Sequence, residues 1–154
     1  MHRSGLIAAA GAIIARLDRL PILFAELFFR AALAVAFWRS GQTKLANWDL
    51  TLALFADEYR VPILPPELAA LLATTVEIGA PIALILGLGA RLAAAAMLGM
   101  TLVIQLFVYP GSYPDHLLWA GPLLYLLWRG PGRLSLDHLI RKRCLEPRRH
   151  HPQG

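Results

Sequence analysis

Glu77 is the one charged residue in the apolar stretch TTVEIGAPIALILGLGA, residues 74–90. Arg30 and Glu26 are the only charged residues in a second apolar stretch, ILFAELFFRAALAVAFW, residues 22–38. In a lipid-spanning helix a central charge costs at least about 2.5–3.5 kcal/mol on insertion scales, so each should face a protein interior or water. At the helical rise, Glu77 lies roughly 15 Å from the start of its run and Arg30 roughly 13 Å from the start of its own. If the two runs are antiparallel neighbours these depths match, and Arg30 and Glu77 are expected to pair. Glu26, one turn before Arg30 at i, i+4 spacing, would join them as a local partner. Such a polar centre either binds the head group of a small ligand or relays protons, or it fastens two helices in register without chemistry. A neutral Glu77, protonated and bonded to backbone, is a third reading.

A second polar set sits near the other ends of these runs. Arg39, Ser40, Gly41 and Lys44 follow the first, Gln105 lies late in a third, and Asp115 with His116 opens a fourth. Together Arg39, Lys44, Gln105, Asp115 and His116 could line an outward-facing polar mouth above Glu77, with His116 expected at the interface beside Asp115. A metal needs several convergent ligands. The other histidines, His2, His138, His150 and His151, fall on the opposite side of the expected topology, so no metal site is expected. Cys144 is the single cysteine, which excludes an intramolecular disulfide and a CxxC redox motif. No GxSxG, phosphate-binding loop or HExxH occurs. The chain holds no self-contained catalytic motif.

The elements that must position these residues are helices. Hydrophobic residues make up 57% of the 154 and charged residues 16%, against about 25% charged in soluble domains; mean hydropathy is +0.54. An integral membrane protein is therefore expected. Four runs approach the length of a span: Ile22 to Trp38, Leu68 to Leu88, Leu92 to Tyr109, and a shorter His116 to Trp128 that Tyr113–Asp115 would extend. Ala69, Ala70, Ala73, Gly79, Ala80 and the run Ala93–Ala96 allow close helix approach in lipid. The expected fold is all-α, an integral membrane four-helix bundle. Arg3, Arg16, Arg19, Arg91, Arg129, Arg133 and the basic residues from Arg141 to Arg149 share one side, against Lys44 and Arg60 on the other. Both termini are thus expected in the cytoplasm.

The chain divides into an N-terminal interfacial segment (1–21), the membrane domain (22–140) and a basic tail (141–154). The first segment resembles a signal peptide in its Arg3 and apolar core. Arg16, Asp18 and Arg19 favour an uncleaved interfacial helix instead. The outer loop, residues 42–66, is expected to hold a short surface helix with Trp48 and Tyr59 at headgroup level. Ser135 is expected to cap an amphipathic helix whose apolar face is Leu136, Leu139 and Ile140. A pI of about 10.0 would suit nucleic acid. The basic residues instead flank apolar runs, as in a protein that meets anionic headgroups, and nucleic acid is not an expected partner.

Several of these residues, in this order, resemble the DoxX family of small bacterial membrane proteins. They are Arg30 in the first helix, Ser40-Gly41-x-x-Lys44 at its exit and Glu77-Ile-Gly-Ala-Pro in the second. Gly87-Leu-Gly-Ala-Arg91 follows at the inner turn, and Gly130-Pro-Gly-Arg-Leu-Ser-Leu-Asp137 after the fourth helix. The likeness covers about residues 22–140. It implies a multi-pass, four-span protein of the bacterial inner membrane, an accessory subunit of a quinone-linked redox or oxidative- or metal-stress system. Its partners would be the bilayer and other membrane or peripheral redox proteins, and quinone is the cofactor candidate. As an enzyme it would be at most a subunit of a membrane oxidoreductase. The related vitamin K epoxide reductase bundles use membrane cysteines, which the spans here lack. The alternative is a non-enzymatic assembly component, or one that transports small molecules or protons.

Overall fold

The flanking residues set where each helix starts and stops. A computed structural model describes residues 22–145; the expectations for residues 1–21 and for His150 and His151 fall outside them. Helix α1, Ile22–Ala46, runs eight residues past Trp38. Its polar exit is itself helical: Lys44 bonds Ser40 Oγ at 3.1 Å, and Thr43 bonds the carbonyl of Arg39 at 3.0 Å. Asn47 then caps α2, Trp48–Leu54, by accepting from the Leu50 N–H at 3.0 Å. A π-helical turn, Phe55–Tyr59, follows.

Helix α3, Pro66–Leu86, starts on a proline whose missing N–H would be unpaired there anyway. It ends at Gly87, whose φ of +65° suits a residue without Cβ. Gly89, at φ +59°, leads into α4, Ala90–Val103, which continues as a second π-helical turn, Ile104–Val108. Helix α5 is Tyr113–Arg129 and α6 is Leu136–Leu145. Ser135 Oγ accepts from the His138 N–H at 3.2 Å, the cap expected for α6. All regular structure among the described residues is helical.

Burial recurs at helical spacing. The buried faces are Leu33, Ala34, Phe37 and Gly41 on α1, and Ala70, Thr74, Glu77, Pro81 and Leu84 on α3. On α4 they are Ala90, Ala93, Ala94, Met97 and Thr101; on α5, His116, Leu123 and Leu126. Helix α1 packs on α3 and α5, and α4 packs on the same two. Helices α1 and α3 meet so closely that a Cβ on Gly41 would lie 2.7 Å from Ile78 Cδ1 and 3.0 Å from Glu77 Cβ. That contact fixes their register.

Two helical stretches are long and apolar enough to cross a membrane: α3, with mean hydropathy 1.9, and Ala90–Val108, with 1.8. Helix α1 is long enough but carries Glu26, Arg30, Arg39 and Lys44. Helix α5 has 17 residues, the lower limit for a span. Large apolar side chains face outward, among them Phe24 at 63% and Trp128 at 83% exposed. The segment after α1 folds back on α3, where Phe55 is buried against Ala69 and Ala70. Trp48 and Tyr59, expected at headgroup level, are half-buried in this cluster.

Candidate functional site

The expected pair of Arg30 with Glu77 does not form. Gly41, eleven residues beyond Arg30, is the α1 residue that lies against Glu77, so the two charges sit roughly 16 Å apart along α1. The two depths do not match because the first helix extends to Ala46, with Gly41 and not Arg30 opposite Glu77. Each charge has other partners, and those partners assign it a different role.

Arg30 is buried among main-chain carbonyls. Its Nε donates to Leu84 O at 2.6 Å and Nη2 to Ile85 O at 2.5 Å. Its Nη1 donates to Pro131 O at 3.1 Å and Leu134 O at 2.7 Å. Leu84 and Ile85 belong to the last turn of α3, where carbonyls run short of main-chain partners (Leu84 O keeps only the Gly87 N–H, at 3.1 Å) and the dipole favours a cation. Asp137 performs the opposite task for α4: its carboxylate accepts from the Gly89 N–H at 2.8 Å and the Ala90 N–H at 3.1 Å. The Asp137 N–H in turn donates to Gly87 O at 2.9 Å. One guanidinium and one carboxylate thereby tie the α3–α4 turn to the segment after α5. Glu26 lies at this end, not beside Glu77. It is buried, with Tyr125 Oη 3.5 Å from its Oε1 and Gly132 closely packed against it. This end is a structural clamp.

Glu77 belongs to the other polar set. Lys44 Nζ lies 2.8 Å from Glu77 Oε1, the one ion pair among the described residues, and Ser40 Oγ donates to the same oxygen at 2.9 Å. Ser40 and Lys44, four apart on α1, thus reach one carboxylate oxygen on α3. The other oxygen, Oε2, is buried with no hydrogen-bond partner among the described residues. These three side chains line a cavity of about 530 Å³. Its walls are otherwise mainly apolar and aromatic and include Phe37, Phe55, Tyr59, Met100, Tyr109 and Trp119. Both π-helical turns contribute to the lining, and such turns are frequent at functional sites.

The remaining expected mouth residues divide. His116 is buried rather than interfacial: Nδ1 lies 2.6 Å from Gln105 Oε1, the ring packs on Trp119, and the residue lines the cavity. Gln105 also donates to Pro110 O at 2.8 Å. Asp115 is exposed and does not line the cavity. Arg39 is exposed too, beside a separate shallow groove formed with Trp38, Pro81 and Ile85. Lys44 and His116 therefore share the cavity with Glu77, Gln105 is joined to it only through His116, and Arg39 and Asp115 lie outside it.

At the rim, Tyr109 donates its hydroxyl to Glu58 and packs edge-on against Tyr59, joining the two π-helical segments. The hydrogen bond to Glu58 holds the Tyr109 hydroxyl above the usual phenol value of 10.0, with smaller contributions from burial and from Tyr59. The neutral phenol is the form the fold stabilises, so this contribution is fully present below pH 10.0 and fades as pH rises through the higher folded value. Ultraviolet difference absorbance between the native protein and Tyr109→Phe should show this residue less than half ionised at pH 10.0. Half-ionisation there would mean that the contact to Glu58 is absent in solution.

Sequence reasoning did not identify Phe37, Tyr59, Met100 or Trp119 as site residues. One signal was available: Phe37, Ser40 and Lys44 recur at i, i+3 and i+7 on one face of α1. No curated protein and no solved structure matches the chain. Residues 25–110, more than half of the chain, match the DoxX family model. That stretch contains Arg30 with its two α3 carbonyls and the whole Ser40–Lys44–Glu77 set, and the protein belongs to the DoxX family.

Proposed function

We propose that the cavity binds the ring-shaped head of a small amphipathic lipid of the quinone class. In this reading the protein is a multi-pass accessory subunit of a redox or stress-response system in the bacterial inner membrane. The observation that carries the proposal is the junction of Glu77 and Lys44 with aromatic walls in one cavity. Ligand pockets are typically apolar with a few placed polar groups that orient the ligand. A planar ring lying against the aromatic wall that includes Phe37, Tyr59 and Trp119 would have Ser40, Lys44 and Glu77 in the same cavity for its polar edge. Glu77 stands near the middle of α3, which would place this polar edge near the bilayer midplane.

The outward-facing apolar side chains and the skewed distribution of arginine support four lipid-embedded helices with both termini cytoplasmic. The residues of the cavity can bind, orient and exclude water. An electron-transfer centre would belong to a partner. A transport role has less support, because Leu33, Leu84, Met97, Leu123 and Leu126 pack together as a buried apolar core and give a proton no polar step towards Arg30. Photolabelling with an azido-benzoquinone in lipid vesicles tests the proposal: the label should fall on the cavity lining and be displaced by duroquinone.

A further inference from the structure

We infer that Arg39 and the groove beside it form a docking site for a transmembrane helix of another protein, one that presents a carboxylate inside the bilayer. The inference rests on α1 and α3 being embedded in lipid, and not on what the cavity binds. The groove, about 330 Å³, lies between α1 and α3 and is separate from the cavity. Val35 and Trp38 line it from one helix, Pro81, Ile82 and Ile85 from the other. Val35, Ile82 and Ile85 are exposed apolar side chains, so the groove opens towards lipid. Arg39 is the one charged residue on its wall, and it too is exposed.

The register of the two helices places this charge within the apolar depth. Gly41 lies against Glu77 and Ile78, so Arg39, two residues earlier, stands level with the stretch from Ile78 to Pro81. Helix α3 has 21 residues, about 30 Å at the helical rise, which matches the hydrocarbon core. The level of Arg39 is then about 18–22 Å from the Pro66 end and about 8–12 Å from the Leu86 end. A charge facing lipid at such a depth is costly, and membrane proteins pair it. The one ion pair among the described residues is Lys44 with Glu77, so no described carboxylate pairs with Arg39.

The missing partner is not a second copy in the same orientation. Glu26 and Glu77 are buried, and the exposed carboxylates Asp49, Asp57, Glu58, Glu67 and Asp115 lie in the loop segments or the first turns of α2, α3 and α5. None of them faces outward at the level of Arg39. A lipid phosphate lies beyond the hydrocarbon boundary, and reaching one would draw the side chain along α1 and out of the groove. A carboxylate on an apolar helix meets Arg39 where it stands, while flanking side chains fill the space between α1 and α3. Charge and shape call for the same occupant.

The test uses the full chain in lipid nanodiscs, labelled with a fluorophore at its single, exposed cysteine, Cys144. Lysine-flanked leucine–alanine transmembrane peptides carry the energy-transfer acceptor. Three peptides differ only at one position level with Arg39, which is glutamate, glutamine or leucine. The glutamate peptide should bind about tenfold more tightly than the other two, in line with polar pairing between membrane helices. In Arg39→Leu the preference should vanish, and in Arg39→Glu it should pass to a peptide with arginine at that position. Ile82→Trp, which fills the groove and keeps the charge, should weaken binding of the glutamate peptide as well. Equal affinities on the native protein, or a glutamate preference retained in Arg39→Leu, would overturn the inference. So would a dimer of the chain alone that Arg39→Leu dissociates, or bound phosphatidylglycerol that Arg39→Leu loses and the glutamate peptide does not displace. Each of these results leaves quinone binding in the cavity to be decided by photolabelling.

Discussion

Arg30→Met is expected to leave little folded protein. Four of the five guanidinium N–H groups bond main-chain carbonyls on two separate segments. Methionine fills similar space and donates nothing. An unsatisfied buried acceptor costs about 1–3 kcal/mol. Leu84 O keeps the Gly87 N–H and the Ile85 and Leu134 carbonyls are only partly buried, so the loss over these three and Pro131 O is about 2–6 kcal/mol at most. That is comparable with the whole stability of many proteins, about 5–15 kcal/mol. The yield of monodisperse protein in mild detergent and its thermal midpoint would report the loss. Arg30→Lys should recover only part, because an ammonium is a compact point charge and cannot spread across carbonyls of two segments as the planar fork does. If Arg30→Met folded normally and lost duroquinone binding, Arg30 would belong to the ligand site and not to the clamp.

The second large effect concerns the ion pair. Lys44→Met leaves Glu77 buried with Ser40 as its remaining donor, and breaking a buried pair on one side typically costs about 3–5 kcal/mol. Side-chain exposure of 17% for Lys44 against 4% for Glu77 makes the carboxylate the more penalised partner. Glu77→Gln added to Lys44→Met should restore most of the lost stability, since the neutral amide needs no counter-charge. A double-mutant cycle is thus expected to show coupling of about 1 kcal/mol or more. Additive effects would indicate that the pair contributes only its surface-like share.

How far the sequence could be read varies by residue. The helices, the glycine turn at Gly87 and Gly89, and the Ser135 cap are local signals, carried by apolar periodicity, φ preference and hydroxyl capping. The register of α1 on α3 is not local. It depends on where α1 stops, and the polar exit Ser40-Gly41-Gln42-Thr43-Lys44 resembles a loop until Lys44 is seen to reach Ser40 and Glu77. Arg30 is similar: nothing near it in the chain shows that its partners are carbonyls from Leu84 to Leu134. The motifs after α3 and α5 are legible as turns, but not as the two halves of one clamp. The cavity draws on five separate stretches of chain, so its aromatic walls become visible only after packing.

The cavity around Lys44 and Glu77 is the centre of the functional reading, and locating a bound ring tests it most directly. An azido-benzoquinone activated by light in vesicles of bacterial lipid, with labelled peptides mapped by mass spectrometry, would give that location. The expected result is label on Tyr59, Met100 or Trp119, suppressed by excess duroquinone. Label confined to outward-facing residues such as Phe24, Leu92 and Leu117, and indifferent to duroquinone, would contradict it.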